Sequence, residues 1–304
     1  MKRKISLTMI IAVIIAAVII SCKTQFTTTK ATYTATPTTA RLQRGKVLVF
    51  SICAGCHYNR NVKKFTGAEM HDIPGIAGKV VSANLTHSQT AGVTDHYTDA
   101  EIQYLLKTGV ARDGRFLNYM LRPNMADEDI AAIIVYLRSN DEAVRADQTT
   151  AGITKLTFIG KAYMNLKAKP TPYKTDVKLP DADNRAAMGY YLVDNLGCFH
   201  CHSGKLTSLN YLYPDQTKGY LAGGIKFKDE KGNVVRAANI TLDKNTGIGN
   251  YTREQFLKAM KEGITPEGEK LQPPMPKFTM LKNAEIDAIY AYLQTIPAKQ
   301  HLIK

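Results

Sequence analysis

Cys198-Phe199-His200-Cys201-His202 decides how this chain is read. Two cysteines three apart, the second followed at once by histidine, form the attachment signature of a c-type haem. The spacing follows from the chemistry: each thiol adds to one haem vinyl group, and the next residue supplies an imidazole to the iron. Cys53-Ala54-Gly55-Cys56-His57 repeats the pattern. One copy would also fit chance or half a zinc site. Two copies, each opening a similar stretch of chain, predict two covalently bound haem c groups. Cys53, Cys56, Cys198 and Cys201 are then the attachment residues, and His57 and His202 the axial ligands.

Working outward, the chain of 304 residues has room for two ordinary domains. It begins Met1-Lys2-Arg3-Lys4, runs largely apolar from Ile5 to Ile20 and then reads Ser21-Cys22. A basic start, a short apolar core and a small residue before the break describe an export signal over 1–21. The apolar run falls short of the roughly 20 residues that a spanning helix needs. Ile19-Ile20-Ser21-Cys22 has the form of a lipobox, which makes Cys22 a lipidation site; an uncleaved anchor helix with an idle thiol is the alternative. Either version places the body outside the cytoplasm, tethered on the periplasmic side of a bacterial membrane. Of the five cysteines, four lie in the two motifs and Cys22 is left over, so none remains for a disulfide within the chain. The net charge of +14 suits docking to an acidic redox partner or to anionic headgroups, and makes such association salt-sensitive. The lysines are scattered, which argues against nucleic acid as a partner.

Residues 22–40, rich in Thr, Ala and Lys, bury too little to fold alone and are expected to form a flexible tether. Helical spacing begins at Arg41, with Leu42, Val47, Leu48 and Phe50 leading into Cys53. Thr98 is placed to cap a second helix that Gly109 ends, and a third starts near Ala126-Asp127. Arg185 to Leu196 leads into Cys198, Thr252 caps a helix that Gly263 ends, and a last helix starts at Asn283. The fold class expected is therefore all-α, as two tandem helical domains over 41–145 and 184–304. The linker between them, 146–183, is expected to wrap one domain, with a short helix near Phe158 to Leu166. The halves align by residue: Ala83-Asn84-Leu85-Thr86 matches Ala238-Asn239-Ile240-Thr241, 155 positions on. Ala132-Ile133 and Tyr136-Leu137 match Ala288-Ile289 and Tyr292-Leu293. The chain reads as a duplication.

One histidine leaves an iron with one position open, and its occupant decides the chemistry. A methionine thioether raises the potential and closes the site to small ligands. In the second half, Met275 sits within Gln272-Pro273-Pro274-Met275-Pro276, a stiff loop ahead of the last helix, with Met280 as fallback. In the first half Met120 aligns with Met275 within one residue; Met125 and His71 stand as alternatives. His87 and His96 read as solvated, and His200 has no assigned role. Zinc binding through either Cys-x-x-Cys pair ranks last, because each half lacks a second cysteine pair.

These stretches resemble the class I cytochrome c domains in membrane-associated cytochrome subunits of alcohol, gluconate and related periplasmic dehydrogenases. The likeness is carried by Ala238-Asn239-Ile240-Thr241 through Gly249, Tyr251-Thr252, Met275-Pro276 and Ala288 to Leu293. In the first half it rests on Ser82 to Thr86 and Gly114-Arg115, although Met120-Leu121 stands where Met-Pro is usual. The resemblance implies an electron relay without catalysis of its own. Cys53, Cys56, Cys198 and Cys201 would hold haem c, with His57, Met120, His202 and Met275 as axial ligands. The partners implied are a dehydrogenase or quinol-oxidising complex and a terminal acceptor. Such subunits commonly carry three haem domains, against two here. An enzymatic alternative is a dihaem peroxidase, in which His71 and Met275 would play unequal roles; the symmetry of the halves weighs against it. No nucleophile–base pair or paired-carboxylate motif stands out.

Overall fold

The computed structural model describes residues 25–71, 73–167, 169–228 and 232–301. The export signal and the Cys22 lipidation site lie outside them. Helix α1 (Thr39–Leu48) opens two residues before Arg41, because Thr38 accepts the Arg41 amide through its side chain at 3.1 Å. It runs through one π-helical turn, Val49–Cys53, straight into α2 (Ala54–His57). There follow α3 (Asp99–Thr108), α4 (Asp127–Leu137), α5 (Phe158–Lys167), α6 (Arg185–Asn195) and α7 (Cys198–His202). The last two are α8 (Arg253–Glu262) and α9 (Asn283–Leu293).

The expected caps form as reciprocal pairs. Thr98 and Glu101 bond each other's backbone amides at 3.2 and 2.8 Å, and Thr252 and Gln255 do so at 3.2 and 2.9 Å. Gly109 and Gly263 close the same two helices in the left-handed region, at φ 77° and 70°.

Both halves are built on one helix crossing. α1 packs on α4, and α6 packs on α9. At the first crossing a Cβ on Gly45 would lie 1.9 Å from the Ala132 carbonyl oxygen; at the second, one on Gly189 would lie 1.9 Å from that of Ala288. Tyr136 and Tyr292, a turn further on, flank the respective glycines. Around each crossing sits a buried apolar cluster. The first gathers Leu48, Val49, Phe65, Leu106, Met125, Ile130 and Ile134; the second gathers Leu192, Val193, Phe199, Leu221, Phe256, Leu281 and Ile289.

Two small antiparallel ribbons depart from an all-helical plan. β1 (Gly78–Lys79) pairs with β2 (Lys155–Leu156), and β3 (Lys226–Lys228) pairs with β4 (Val234–Arg236). Strands of two or three residues are too short for alternation to register in sequence.

Residues 25–38, expected as free tether, lie extended along the first half. The Phe26 amide bonds the Gly114 carbonyl at 2.9 Å, its ring meets Phe116 edge-on, and Ala35 is buried with its amide on Asp99. Phe26 and Tyr33 are the apolar side chains that a composition-level reading of this stretch underweights.

The halves touch directly. Asp129 on α4 is buried and holds the Arg44 guanidinium with both oxygens, at 2.8 and 2.9 Å. Tyr191 on α6 donates its hydroxyl to the same carboxylate at 2.7 Å, and Arg44 also pairs with Glu285 on α9. The segment between the halves is stitched to the first: the Asp127 amide bonds Val177, Lys107 bonds the Lys174 carbonyl, and Tyr173 stacks on Tyr104. Among the described residues no helix is long and apolar enough to cross a membrane.

Candidate haem sites

Positions i, i+3 and i+4 share one face of a helix. That places Cys53, Cys56 and His57 together at the end of the α1–α2 helix, and Cys198, Cys201 and His202 together on α7. The approaches differ. In the first half the chain enters without a break, through the π turn; in the second, Gly197 at φ 78° breaks the path between α6 and α7.

Each histidine is then fixed the same way. His57 Nδ1 lies 2.8 Å from the Ala83 carbonyl, and His202 Nδ1 lies 2.7 Å from the Ala238 carbonyl. A carbonyl can only accept, so Nδ1 carries the hydrogen and Nε2 keeps its lone pair for a metal. Both rings are buried, which pushes each imidazole below the ordinary histidine value against the raising effect of that hydrogen bond. A neutral, oriented imidazole is the form that ligates iron, so the donor chemistry fits haem c in both places. Burial likewise pushes the Cys53 and Cys198 thiols up to about 12, so neither carries a charge at neutral pH.

The Ala-Asn-Leu/Ile-Thr repeat supplies those carbonyls, a role that sequence comparison alone does not assign. Asn84 caps its own turn by accepting the Thr86 amide, and donates to the Asp147 and Thr149 carbonyls beyond α4. Asn239 accepts from Thr241 and donates to the Lys299 carbonyl beyond α9. The buried asparagine thus pins the carbonyl-bearing loop to the chain that leaves the last helix of its half. The recurrence itself, 155 positions on, was the available signal.

The methionine loops are anchored equivalently. In the first half the Leu117 amide bonds Gly109 and the Arg122 amide bonds Leu106; in the second, Leu271 bonds Gly263 and Phe278 bonds Met260. Met120 and Met275 each fall between such anchors, half-buried against the cluster of their own half. Met125 is fully buried as core, Met280 is about one-third exposed, and His71 is exposed. His87 bonds Asp95 and the Ser139 carbonyl, and His96 is exposed. His200 packs between Phe199 and Tyr211, with burial and the nearby Arg122 holding it well below the usual imidazole range. Among the described residues no group of three or more His, Cys, Asp or Glu side chains is placed to hold a metal ion by itself.

Arg122 and Asn124 clasp the Met120 loop to the second motif. Arg122 Nε donates to the Asn195 carbonyl at 2.9 Å, and Asn124 donates to the Asp194 carboxylate at 2.8 Å and the Tyr211 carbonyl at 3.2 Å. Nothing in the pattern of apolar residues marks these two positions, because their partners lie across the junction. Burial raises Asp194 to about 6, with the Asn124 bond and the Arg122 and Lys174 charges opposing. The folded chain therefore keeps a proton that the unfolded chain releases near pH 4. The Asp194 contribution to stability falls as pH rises from there to about 6 and is level above it. Asp194→Asn is expected to remove that fall, worth at most about 3 kcal/mol, in urea melts run across the range.

Covalent attachment motifs, paired imidazole–carbonyl bonds and a helical frame define a c-type cytochrome. No family model matches the chain. Relatives are found by direct comparison. Over 276 residues, 85% of this chain, it is 30% identical to the fructose dehydrogenase cytochrome subunit of Gluconobacter japonicus, of which it covers 53%. Over 106 residues, 34% of this chain and 20% of the relative, it is 36% identical to the cytochrome c subunit of alcohol dehydrogenase (quinone) from Gluconobacter oxydans. A diheme cytochrome c-type protein of Cereibacter sphaeroides is 26% identical over 151 residues, 49% of this chain and 48% of the relative. The chain is a homologue of the cytochrome c subunits of these dehydrogenases, and it spans about half the length of the fructose dehydrogenase subunit.

Proposed function

We propose that this protein is a membrane-tethered dihaem cytochrome that relays single electrons from a dehydrogenase or quinol-oxidising complex to a downstream acceptor. The observation that carries the reading is the recurrence of one complete arrangement: the Cys-x-x-Cys-His face, the imidazole held by an alanine carbonyl, and a methionine between equivalent loop anchors. When bound, haem c supplies an iron that gains and loses one electron. Cys53, Cys56, Cys198 and Cys201 would fasten it, and His57 and His202 would present Nε2. Met120 and Met275 would fill the remaining positions and so close both sites to small ligands. The apolar clusters keep water away from the buried side of each site, while the net positive surface draws an acidic partner. Cys22 would carry the lipid that holds the chain at the membrane, on its periplasmic side.

Stopped-flow mixing of the reduced holoprotein with an oxidised acidic acceptor cytochrome tests the relay. Oxidation that slows as ionic strength rises is expected. Absence of exchange with any such acceptor, or peroxide-dependent oxidation of a reduced donor at catalytic rates, counts against it.

A further inference from the structure

Helix α5 lies on the segment between the two halves, outside the stretches that repeat. It is also inverted. Its buried residue is Gly160, where a Cβ would lie 2.1 Å from the Ala77 carbonyl oxygen, while its largest apolar side chains face out. Phe158 is 63% exposed, Ile159 53%, Tyr163 43% and Leu166 70%. At about 100° per residue these four fall within an arc of roughly 140°, with Lys167 and Lys161 on either side of it. Ile76, 64% exposed, lies beside the helix N-terminus, where Thr157 bonds its carbonyl, and Ile153, 76% exposed, precedes β2 in the chain. Along this segment of the chain the charge has one sign. From residue 148 to 175 there are five lysines and no acidic residue; Lys155, Lys161, Lys167 and Lys169 are exposed. The nearby Glu69 is paired with Lys79 at 2.7 Å.

An exposed apolar arc edged by lysines is the pattern of a helix that lies in a bilayer interface. Tyr163 borders Tyr211 of the second half, but Phe158, Ile159 and Leu166 join neither apolar cluster, and such outward side chains gain nothing unless something apolar receives them. Anionic headgroups complement the lysine edges, and acyl chains complement the arc. We infer that the surface formed by α5, Ile76 and Ile153 docks on an anionic lipid bilayer, which would fix how the protein faces the membrane. This orientation goes beyond the relay reading and does not depend on the axial ligands.

The test uses the full-length, haem-loaded protein on vesicles of phosphatidylcholine, with and without phosphatidylglycerol. A spin label is placed at Leu166→Cys. Treating the unsubstituted protein in parallel reports any label taken up by Cys22, so failure of the lipid-anchor reading shows separately. On phosphatidylglycerol vesicles the label should become more accessible to oxygen and less to a water-soluble nickel chelate. Raised salt should reverse the change, and pure phosphatidylcholine should not produce it. A Phe158→Ser/Ile159→Ser variant that keeps the haem spectrum should lower partitioning of the label into the bilayer more than tenfold. A label that stays equally open to water on every vesicle overturns the inference. So does one already shielded in solution, which would mean that the arc is covered by protein.

Discussion

Gly189→Ala destabilises the protein by about 2 kcal/mol or more, and Gly45→Ala does the same to the other crossing. On helix propensity alone the sign is opposite, because alanine in a helix interior is about 1 kcal/mol better than glycine. The crossing reverses it. The added Cβ would stand 1.9 Å from the Ala288 carbonyl oxygen and 2.6 Å from Tyr292 Cβ, and at the first crossing 1.9 Å from that of Ala132 and 2.8 Å from Tyr136 Cβ. Neither neighbour is the free end of a flexible chain, so α6 and α9, or α1 and α4, must move apart. That loosens Leu192, Ile286 and Ile289 in one cluster, and Leu48, Ile130 and Ile134 in the other. Denaturant melts followed by far-ultraviolet circular dichroism measure the loss, and a larger residue such as valine should deepen it. A melt that is unchanged, or shifted upward as propensity alone would have it, contradicts the close crossing.

Asp129→Ala is the second large effect, and it separates the halves. The carboxylate is buried, takes both arms of Arg44, and accepts the Tyr191 hydroxyl from the other half. Removing it leaves the guanidinium with Glu285 alone and a buried phenol without its acceptor. Breaking a buried pair in this way costs about 3 kcal/mol. Because Tyr191 and Glu285 sit on α6 and α9, the loss also weakens the coupling between the two cores. Calorimetry should show the transition moving down and splitting in two. Asp129→Asn, which can still accept from Tyr191, should fall between the variant and the parent. A single unshifted transition in Asp129→Ala would show that the network does not join the halves.

The features that could be read in advance are those whose signal is local. Attachment motifs, helix caps at Thr98 and Thr252, and glycine ends at Gly109 and Gly263 each depend on residues within a few positions. The α5 helix could be placed for the same reason, though not the outward turn of its apolar arc, since that is set by contact with Ala77. What stayed hidden depends on partners far along the chain. The imidazole-holding carbonyls of Ala83 and Ala238 are backbone atoms, which no side-chain pattern reports. Gly45 and Gly189 read as ordinary helix positions until the opposing Ala132 and Ala288 carbonyls are in place. Arg122 and Asp129 carry no local signal, because their partners Asn195 and Tyr191 lie in the second half. Residues 25–38 looked like tether because packing there comes from single side chains against a surface already built.

The central claim is that both halves present the same histidine–methionine site. It is tested most directly by absorption spectra of the purified holoprotein, oxidised and reduced, from the visible into the near infrared, with haem counted per chain. Two low-spin haems are expected, each contributing the methionine–iron charge-transfer band, with half of that band lost in Met275→Ala and half in Met120→Ala. A single haem per chain, or a high-spin centre in the parent protein, would contradict it.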